Sequence, residues 1–311
     1  MIARIPLLTA VLVAQLVLLA VLLLAGDDQG AAAKLLDFEP GEVEAFSFED
    51  GDGRSVALEK VAGAWRLGEL PADAVKIGGV IESLVGGSAS WPVATSESSQ
   101  ARFEVAEGAF QRRVRFSGGA GELATLYLGS SPGFRRIHAR EAEEEAIFSI
   151  DVGVHELPVD ASVWLDKALF EVEAISRLTF PEGAVLVGDE ETGWTVDGQQ
   201  ADLEKATEFV RRIQGLSVLG IHEAAADTVL GDPVTLIVED NKGTHGLTFR
   251  FNEAVDEYVL ESDRLPGEFT VASYIVEQIL VPAADLLPEE ASEEEEGEEP
   301  VAPDTAGAGG G

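Results

Sequence analysis

The same order of secondary-structure signals occurs twice along the 311-residue chain, and this repetition limits the fold more than any single motif. Each copy opens with short alternating stretches separated by turn residues, a pattern that predicts β-hairpins. An amphipathic helix and a second series of strands follow. The sequence therefore predicts an α+β protein of two tandem related units, each of short antiparallel strands with one or two helices, over residues 27–160 and 175–287.

In the first copy, VEAFSFE (43–49) and RSVALEK (54–60) flank the turn residues DGDG, and GAWRL follows. A helix is predicted from about Asp73, an acceptable N-cap, to near Gly86 and Gly87. Its apolar face is expected to consist of Ile77, Val80, Ile81, Leu84 and Val85. Further strands are expected to begin at Phe110, Glu122, Phe134 and Ala146.

In the second copy, strand signals at 175–180 and 184–196 precede a helix predicted from about Ala201 to Gln214. The apolar face of this helix is expected to include Leu203, Val210 and Ile213. Four more strands are expected over 233–240, 245–252, 257–262 and 267–271, before a last helix that ends near Leu280.

Trp65 and Trp194 mark corresponding points of the two copies and are expected to open the corresponding helices. Between the copies, residues 161–174 are predicted to form a connecting helix. The segment WLDKALF (164–170) would act as the hinge within it.

An uncharged run of 21 residues, 5–25, precedes both copies. As a helix it would be about 30 Å long, which is the thickness of one hydrocarbon core. Arg4 lies before the run, and Asp27 and Asp28 follow it. Residues 1–26 are therefore predicted to be a signal-anchor that crosses the bacterial cytoplasmic membrane once, with the N-terminus inside and the body in the periplasm or outside.

The alternative for this segment is a cleaved signal peptide, whose apolar region normally has about 7 to 15 residues. The apolar run is longer than that. In addition, Leu23 stands where a small residue would be needed if cleavage followed Ala25. A retained anchor is therefore the favoured interpretation.

Charge and cysteine content exclude several classes of function. With 57 acidic and 21 basic residues the net charge is −36, which repels nucleic acids and anionic lipid headgroups. No cysteine is present, so disulfides, iron–sulfur ligation and thiol nucleophiles are excluded. The acidic segment 288–311 is predicted to be a disordered tail that adds solubility, or else a docking segment for a basic partner.

Several of these stretches together resemble a known family: GAWRL before a helix, LYLG (126–129) before a hairpin, IFSI, and WLDKALF before a second unit that contains GWTV. The chain resembles, over about residues 30–285, the family called domain of unknown function 4340. The resemblance implies an envelope protein of the kind often encoded beside gliding-motility-type ABC transporters. It implies a non-catalytic accessory or scaffold protein whose partners are envelope or membrane proteins, including ABC transporter subunits, and it supplies no catalytic residues.

A Gly-x-Ser-x-Gly pattern occurs at Gly129, Ser131 and Gly133. A hydrolase nucleophile elbow needs a helix after the serine, but here Pro132 and an extended basic segment follow. A turn is therefore expected, and the protein is predicted not to be an enzyme. The alternative is a serine hydrolase of envelope substrates in which Ser131 works with His155.

Metal and cofactor signals are weak. The four histidines lie in separate segments with no metal-ligand spacing, and no cofactor motif is found. Asp50 and Asp52 resemble the start of a calcium loop, but Arg54 stands at the next ligand position, so a hairpin turn is expected. A module that binds a solute, or calcium weakly, remains the other alternative.

Arginines are concentrated in one part of the first copy, on what should be neighbouring strands. Period-two alternation places Arg113 and Arg115 on one face of their strand and Arg112 on the other. The cluster is either a docking patch for an anionic partner or an acidic tail, or a set of intramolecular pairs with Glu141, Glu143, Glu144 and Glu145. The candidate patch consists of Arg112, Arg113, Arg115, Arg135, Arg136 and Arg140.

Overall fold

A computed structural model describes Gln15 and residues 35–86, 91–224 and 228–288. The predicted signal-anchor, apart from Gln15, and the predicted acidic tail, apart from Pro288, lie outside the described residues. Within the described ranges, no helix is long and apolar enough to cross a membrane.

The first half of the described chain forms an antiparallel sheet and a small separate hairpin. The strands are β1 (Ala45–Glu49), β2 (Ser55–Val61), β3 (Ala64–Leu67), β4 (Leu70–Pro71), β5 (Val105–Ala106), β6 (Ala109–Phe110), β7 (Arg112–Gly118), β8 (Gly121–Leu128), β9 (Ile137–Glu141) and β10 (Phe148–Ile150). The sheet order is β10-β9-β8-β7-β1-β2-β3-β4, and β5 pairs only with β6.

The second half forms a nine-stranded antiparallel sheet. Its strands are β11 (Arg177–Thr179), β12 (Val185–Asp189), β13 (Gly193–Val196), β14 (Gln199–Gln200), β15 (Gly220–Ile221), β16 (Val234–Asp240), β17 (Gly243–Asn252), β18 (Glu257–Ser262) and β19 (Leu265–Ala272). The order is β14-β13-β12-β11-β16-β17-β18-β19-β15, which repeats the order of the first sheet and adds β15 at one edge.

The described helices are few and short: α1 (Ala74–Val85), α2 (Glu97–Arg102), α3 (Leu203–Gln214) and α4 (Ser273–Glu277). Helix α1 begins after Asp73, whose carboxylate accepts the Lys76 N–H at 2.9 Å. All five residues predicted for its apolar face are buried. With these helices and mostly antiparallel sheets, the fold is a β-rich α+β architecture.

Helix α3 corrects one predicted core residue. Asp202 caps the helix, and Ala206, Phe209, Val210 and Ile213 are its buried residues. Leu203 is 55% exposed, because the first residue of the helix lies before the turns that contact the sheet. The sequence prediction placed it on the buried face.

Two further predictions are wrong: the tryptophans do not open the helices, and residues 161–174 do not form a connecting helix. Trp65 lies in β3 and Trp194 in β13, and in each half of the chain a short strand separates the tryptophan from the helix. In the predicted connecting helix 161–174, only Ala161–Val163 is helical, as one 3-10 turn. Past this turn the segment bonds to the first sheet instead, since Leu165 forms an isolated β-bridge with Ala72.

Most of the buried apolar residues belong to two large cores. Along the chain, the boundary between the two cores lies between Trp164 and Leu165. The first core packs α1 against the inner face of the first sheet, and Trp164 is its last buried member. The second core begins at Leu165 and packs α3 and α4 against the inner face of the second sheet. Leu67 and Leu70 of the first sheet also contact the second core, so the two halves are in direct contact.

Candidate functional site

The structure separates the six arginines that the sequence groups into one patch. Arg112 points toward the core side of β7, where its Nε donates to the Leu157 carbonyl at 2.7 Å and its Nη1 to the Gln111 carbonyl at 2.6 Å. Burial lowers the pKa of its guanidinium. Arg112 is therefore tied to the backbone and is not part of an outward surface.

Arg140 is also a structural residue, only 5% exposed. Its Nε donates to the Val105 carbonyl at 2.9 Å, which fastens the β5–β6 hairpin to the outer face of the sheet. Its Nη1 donates to three carbonyls at 2.8 to 3.0 Å, those of Glu141, Ala142 and Glu144. The partners are backbone oxygens and not the expected glutamate carboxylates, because the turn after β9 wraps its main chain around the guanidinium.

Arg113 and Arg115 share the outer face of the first sheet, as their alternation predicts. Arg113 forms an ion pair with Glu49 on the neighbouring strand. Arg115 is exposed and lies in register between Ser47 and Thr125. Only Arg115 of this pair keeps a guanidinium open to solvent.

The loop between β8 and β9, residues 130–136, carries the remaining two arginines and is called the Phe134 loop below. The Ser131 hydroxyl lies 2.6 Å from the carbonyl oxygens of both Gly133 and Arg136, which closes the base of the loop. Arg136 Nε contacts the Asp151 carboxylate at 3.1 Å and anchors the loop to the end of β10. The loop is thus held at its base by side chains of its own sequence.

The tip of this loop faces solvent. Phe134 is 91% exposed, the highest value among the exposed large apolar side chains of the described chain. Arg135 beside it adopts a φ of +53°, in the left-handed region that residues other than glycine seldom occupy. Such a backbone persists only where surrounding contacts enforce it, and here it displays an aromatic ring and a guanidinium side by side.

The predicted nucleophile-elbow pattern is this same turn. The element directly after Ser131 is strand β9 and not a helix, and the Ser131 hydroxyl is engaged by carbonyls of its own loop. The structure instead pairs the preceding serine with a histidine: Ser130 Oγ lies 3.1 Å from His138 Nδ1 and 3.1 Å from the Phe103 carbonyl. Burial lowers the pKa of His138. Sequence spacing gave no signal for this pair, since it arises from cross-strand pairing.

The calcium-like DGDG segment is a hairpin turn. Asp50 Oδ1 accepts the N–H groups of Asp52 and Arg54 at 3.0 Å, and Oδ2 accepts Arg54 Nε at 2.8 Å. Burial alone would raise the pKa of Asp50, but these hydrogen bonds outweigh it and hold the pKa below its ordinary value. Over the described ranges, no group of three or more His, Asp or Glu side chains is arranged to hold a metal ion.

A groove not predicted from the sequence lies beside the turn after β9, and we call it the acidic groove. Its volume is about 530 Å³, within the usual size range of ligand sites. Apolar lining comes from Leu35, Leu36, Phe38, Leu123, Ala124, Ala146 and Phe148, and acidic lining comes from Asp37, Glu42, Glu141 and Glu144. The glutamate run 141–145 was interpreted only as a partner for arginines, so its contribution to this groove was missed.

These features describe a β-rich α+β protein with two sheets of one strand order, an aromatic-tipped loop and an acidic groove. The chain belongs to the family described as domain of unknown function (DUF4340), whose family model matches residues 65–232, more than half of the chain. The match is shorter than the expected span of about 30–285. Searches of curated proteins and of solved structures found no match.

Proposed function

We propose that this protein is a non-catalytic scaffold of the bacterial envelope, anchored in the cytoplasmic membrane by residues 1–26, with its body on the outer side. In this role it is an auxiliary component of a membrane complex such as an ABC transporter. Family membership and the uncharged run near the N-terminus support the proposal. The main observation in support of the scaffold proposal is the Phe134 loop.

The Phe134 loop has the properties of a docking element. Aromatic and arginine side chains dominate the energy of protein interfaces, and a rigid element loses little entropy when it binds. Phe134 is 91% exposed, and Arg135 at its side has no hydrogen-bond or ion-pair partner among the described residues. Ser131 and Arg136 hold the loop in place before any partner arrives.

The shared strand order supports a tandem duplication. In each sheet a four-stranded meander lies on one side and four later strands, β7–β10 or β16–β19, lie on the other, with the long helix between them in sequence; the second sheet adds β15 at its edge. We infer that the two halves are related copies. In that case the Phe134 loop is an elaboration of one copy only, because the equivalent connection between β17 and β18 is the short turn 253–256.

Co-purification tests the scaffold function. The full chain is isolated from membranes solubilised in several mild detergents, beside Phe134→Ala and the matched control Val75→Ala, whose valine is 87% exposed on α1. We expect other envelope proteins to accompany the wild type and the control, and to be at least about tenfold depleted with Phe134→Ala. Recovery of the intact wild type alone in every detergent would contradict the proposal.

A further inference from the structure

We propose that copies of this protein join head to tail, with the Phe134 loop of one copy inserted into the acidic groove of the next. This inference rests on the docking role proposed for the Phe134 loop and names its direct partner as a second copy of the chain, so that other envelope proteins bind the joined copies and are lost when Phe134 is replaced. Contact between two different surfaces of the same molecule propagates into a row or closes into a ring.

The chemistry of the two surfaces matches. The groove combines an apolar lining with four carboxylates, and no Lys or Arg side chain lines it. The loop presents the converse combination, an exposed phenyl ring beside a guanidinium. Phe134 would occupy the apolar part near Phe148, where aromatic side chains pack favourably, and Arg135 would meet Glu144 or Asp37 at the rim.

The loop cannot fill the groove of its own copy. It precedes Ile137, the first residue of β9, whereas Glu141, the last residue of β9, lines the groove. At about 3.3 Å per residue these two ends of the strand are roughly 13 Å apart. The Ser131 hydroxyl contacts with the Gly133 and Arg136 carbonyls hold the loop at its own end of the strand. The matching surfaces can therefore meet only between copies.

The net charge of −36 opposes self-association at long range. At physiological ionic strength this repulsion is screened beyond about 8 Å, whereas a guanidinium that is enclosed among carboxylates is screened much less. A local complementary contact can therefore form between two acidic proteins, and anchoring in one membrane would raise their effective concentration.

Cysteine cross-linking tests the contact directly, because the chain has no cysteine of its own. Gly133→Cys places a thiol in the loop at a glycine with open space around it, and Glu144→Cys places one at the groove rim. The two full-length variants, purified in mild detergent, are oxidised separately and as a mixture. We expect a disulfide-linked dimer in the mixture and little dimer in either variant alone.

Additional variants in the cross-linking experiment distinguish the head-to-tail contact from other arrangements. Adding Phe134→Ala to the loop variant should reduce the dimer yield about tenfold, while Val75→Ala should leave it unchanged. Equal dimer yields in the separate variants would indicate a symmetric contact and overturn the proposal. The proposal would also be overturned if the mixture gave no disulfide-linked dimer, or if the dimer yield did not change with Phe134→Ala.

If cross-linking fails while co-purification of other proteins depends on Phe134, the loop docks to a different protein and the scaffold function stands. If the disulfide-linked dimer forms but no other envelope protein co-purifies, the self-assembly proposal stands and the scaffold proposal is wrong.

Discussion

Single aspartates determine how the hairpins turn. Asp50 directly follows β1, and Asp189 and Asp240 are the last residues of β12 and β16; each carboxylate accepts at least one N–H group of the turn that follows. Asp and Asn favour turns for this reason, because the side chain replaces a backbone acceptor. The DGDG segment resembles a calcium loop in sequence because turns and calcium loops both need closely spaced carboxylates. In the structure, two backbone N–H groups and the Arg54 guanidinium occupy the Asp50 carboxylate.

Asp240 is the most deeply embedded of the three, and its substitution gives a testable change of stability. Its side chain is fully buried, and Arg264 donates to both of its oxygens, from Nη1 at 2.7 Å and from Nη2 at 2.5 Å. These hydrogen bonds, against an opposing effect of burial, lower its pKa from 3.8 to about 2. Since a unit of pKa corresponds to about 1.4 kcal/mol, the carboxylate contributes about 2 kcal/mol to folding stability.

We therefore expect Asp240→Asn to lower the free energy of unfolding by at least about 2 kcal/mol at pH 7, as measured by urea denaturation. The folded pKa lies below the unfolded value, so the contribution is present above pH 3.8 and is lost as the pH falls toward 2. The difference between the two proteins should shrink over that range. The matched control is Asp189→Asn, at an exposed turn where, in the described part of the chain, no arginine bonds to the carboxylate. It should lower the free energy of unfolding by a smaller amount. A difference that stays constant from pH 7 to pH 2 would show that the carboxylate charge is not responsible.

Neither Ser130 nor Ser131 is expected to act as a nucleophile. Ser131 is engaged by loop carbonyls, and Ser130 donates toward Phe103 or His138; in the part of the chain that the structure describes, no carboxylate bonds to the other nitrogen of the imidazole. We expect a fluorophosphonate probe to label the wild type no more than Ser130→Ala or Ser131→Ala, as measured by in-gel fluorescence. Label that disappears with one of these substitutions would identify a nucleophile and replace the scaffold proposal with a hydrolase.

At the scale of elements, the sequence predicts what periodicity can encode. The positions of the long strands and of α1 follow from apolar spacing and turn residues, and β18 lies at the predicted positions 257–262. In the layer on the outer face of the first sheet, residues 91–111, the sequence predicts only a strand from Phe110, and Phe110 lies in β6 instead of in the long strand β7. Helix α2 of this layer is the polar sequence ESSQAR, and β5 and β6 have two residues each, too short for a period. Long-range contacts of Val105 and Arg140 determine this layer.

The acidic groove was missed for the same reason. Its lining comes from three separate parts of the chain, 35–42, 123–124 and 141–148, which only the folded sheet brings together. Of the Phe134 loop, the sequence predicts the glycine- and proline-containing turn up to Gly133, but it predicts a strand from Phe134 onward, and that part is wrong. The display of Phe134 by this loop could not be foreseen, because an apolar residue in an alternating segment predicts a buried position, and the strand begins three residues later, at Ile137.

Helix α1 allows a test of helix propensity within this fold. Gly79 is exposed in its interior, and a Cβ added there would meet no atom within 4 Å. We expect Gly79→Ala to raise the free energy of unfolding by about 0.5–1 kcal/mol, because alanine loses less backbone entropy in a helix. Gly129→Ala should do the opposite, since its Cβ would lie 2.0 Å from the Phe103 carbonyl oxygen. Equal effects of the two substitutions, measured by chemical denaturation, would contradict this account of the glycines.

At the scale of the whole molecule, the segment between the cores holds the two halves together. Lys167 Nζ donates to the Ser162 carbonyl at 2.6 Å and to the Leu219 carbonyl. The Ser162 hydroxyl accepts the N–H of Ile221 at 2.9 Å. Burial lowers the pKa of Lys167. Since β15 lies at the edge of the second sheet, these bonds join the linker to that edge, and Lys167 within the expected hinge is held by two carbonyls.

This arrangement predicts how the chain unfolds. We expect the wild type to show one calorimetric transition, because apolar contacts across the border and the Lys167 bonds couple the halves. Lys167→Met leaves two carbonyls without their donor, which should cost about 1–3 kcal/mol and separate the transition into two. Lys60→Met is the matched control, because Lys60 Nζ donates to the Val43 carbonyl at 2.9 Å within the first half. It should lower the transition temperature without dividing the transition. If Lys167→Met also unfolds in a single transition, the halves are coupled by their apolar contacts alone, and the linker acts only as a covalent connection.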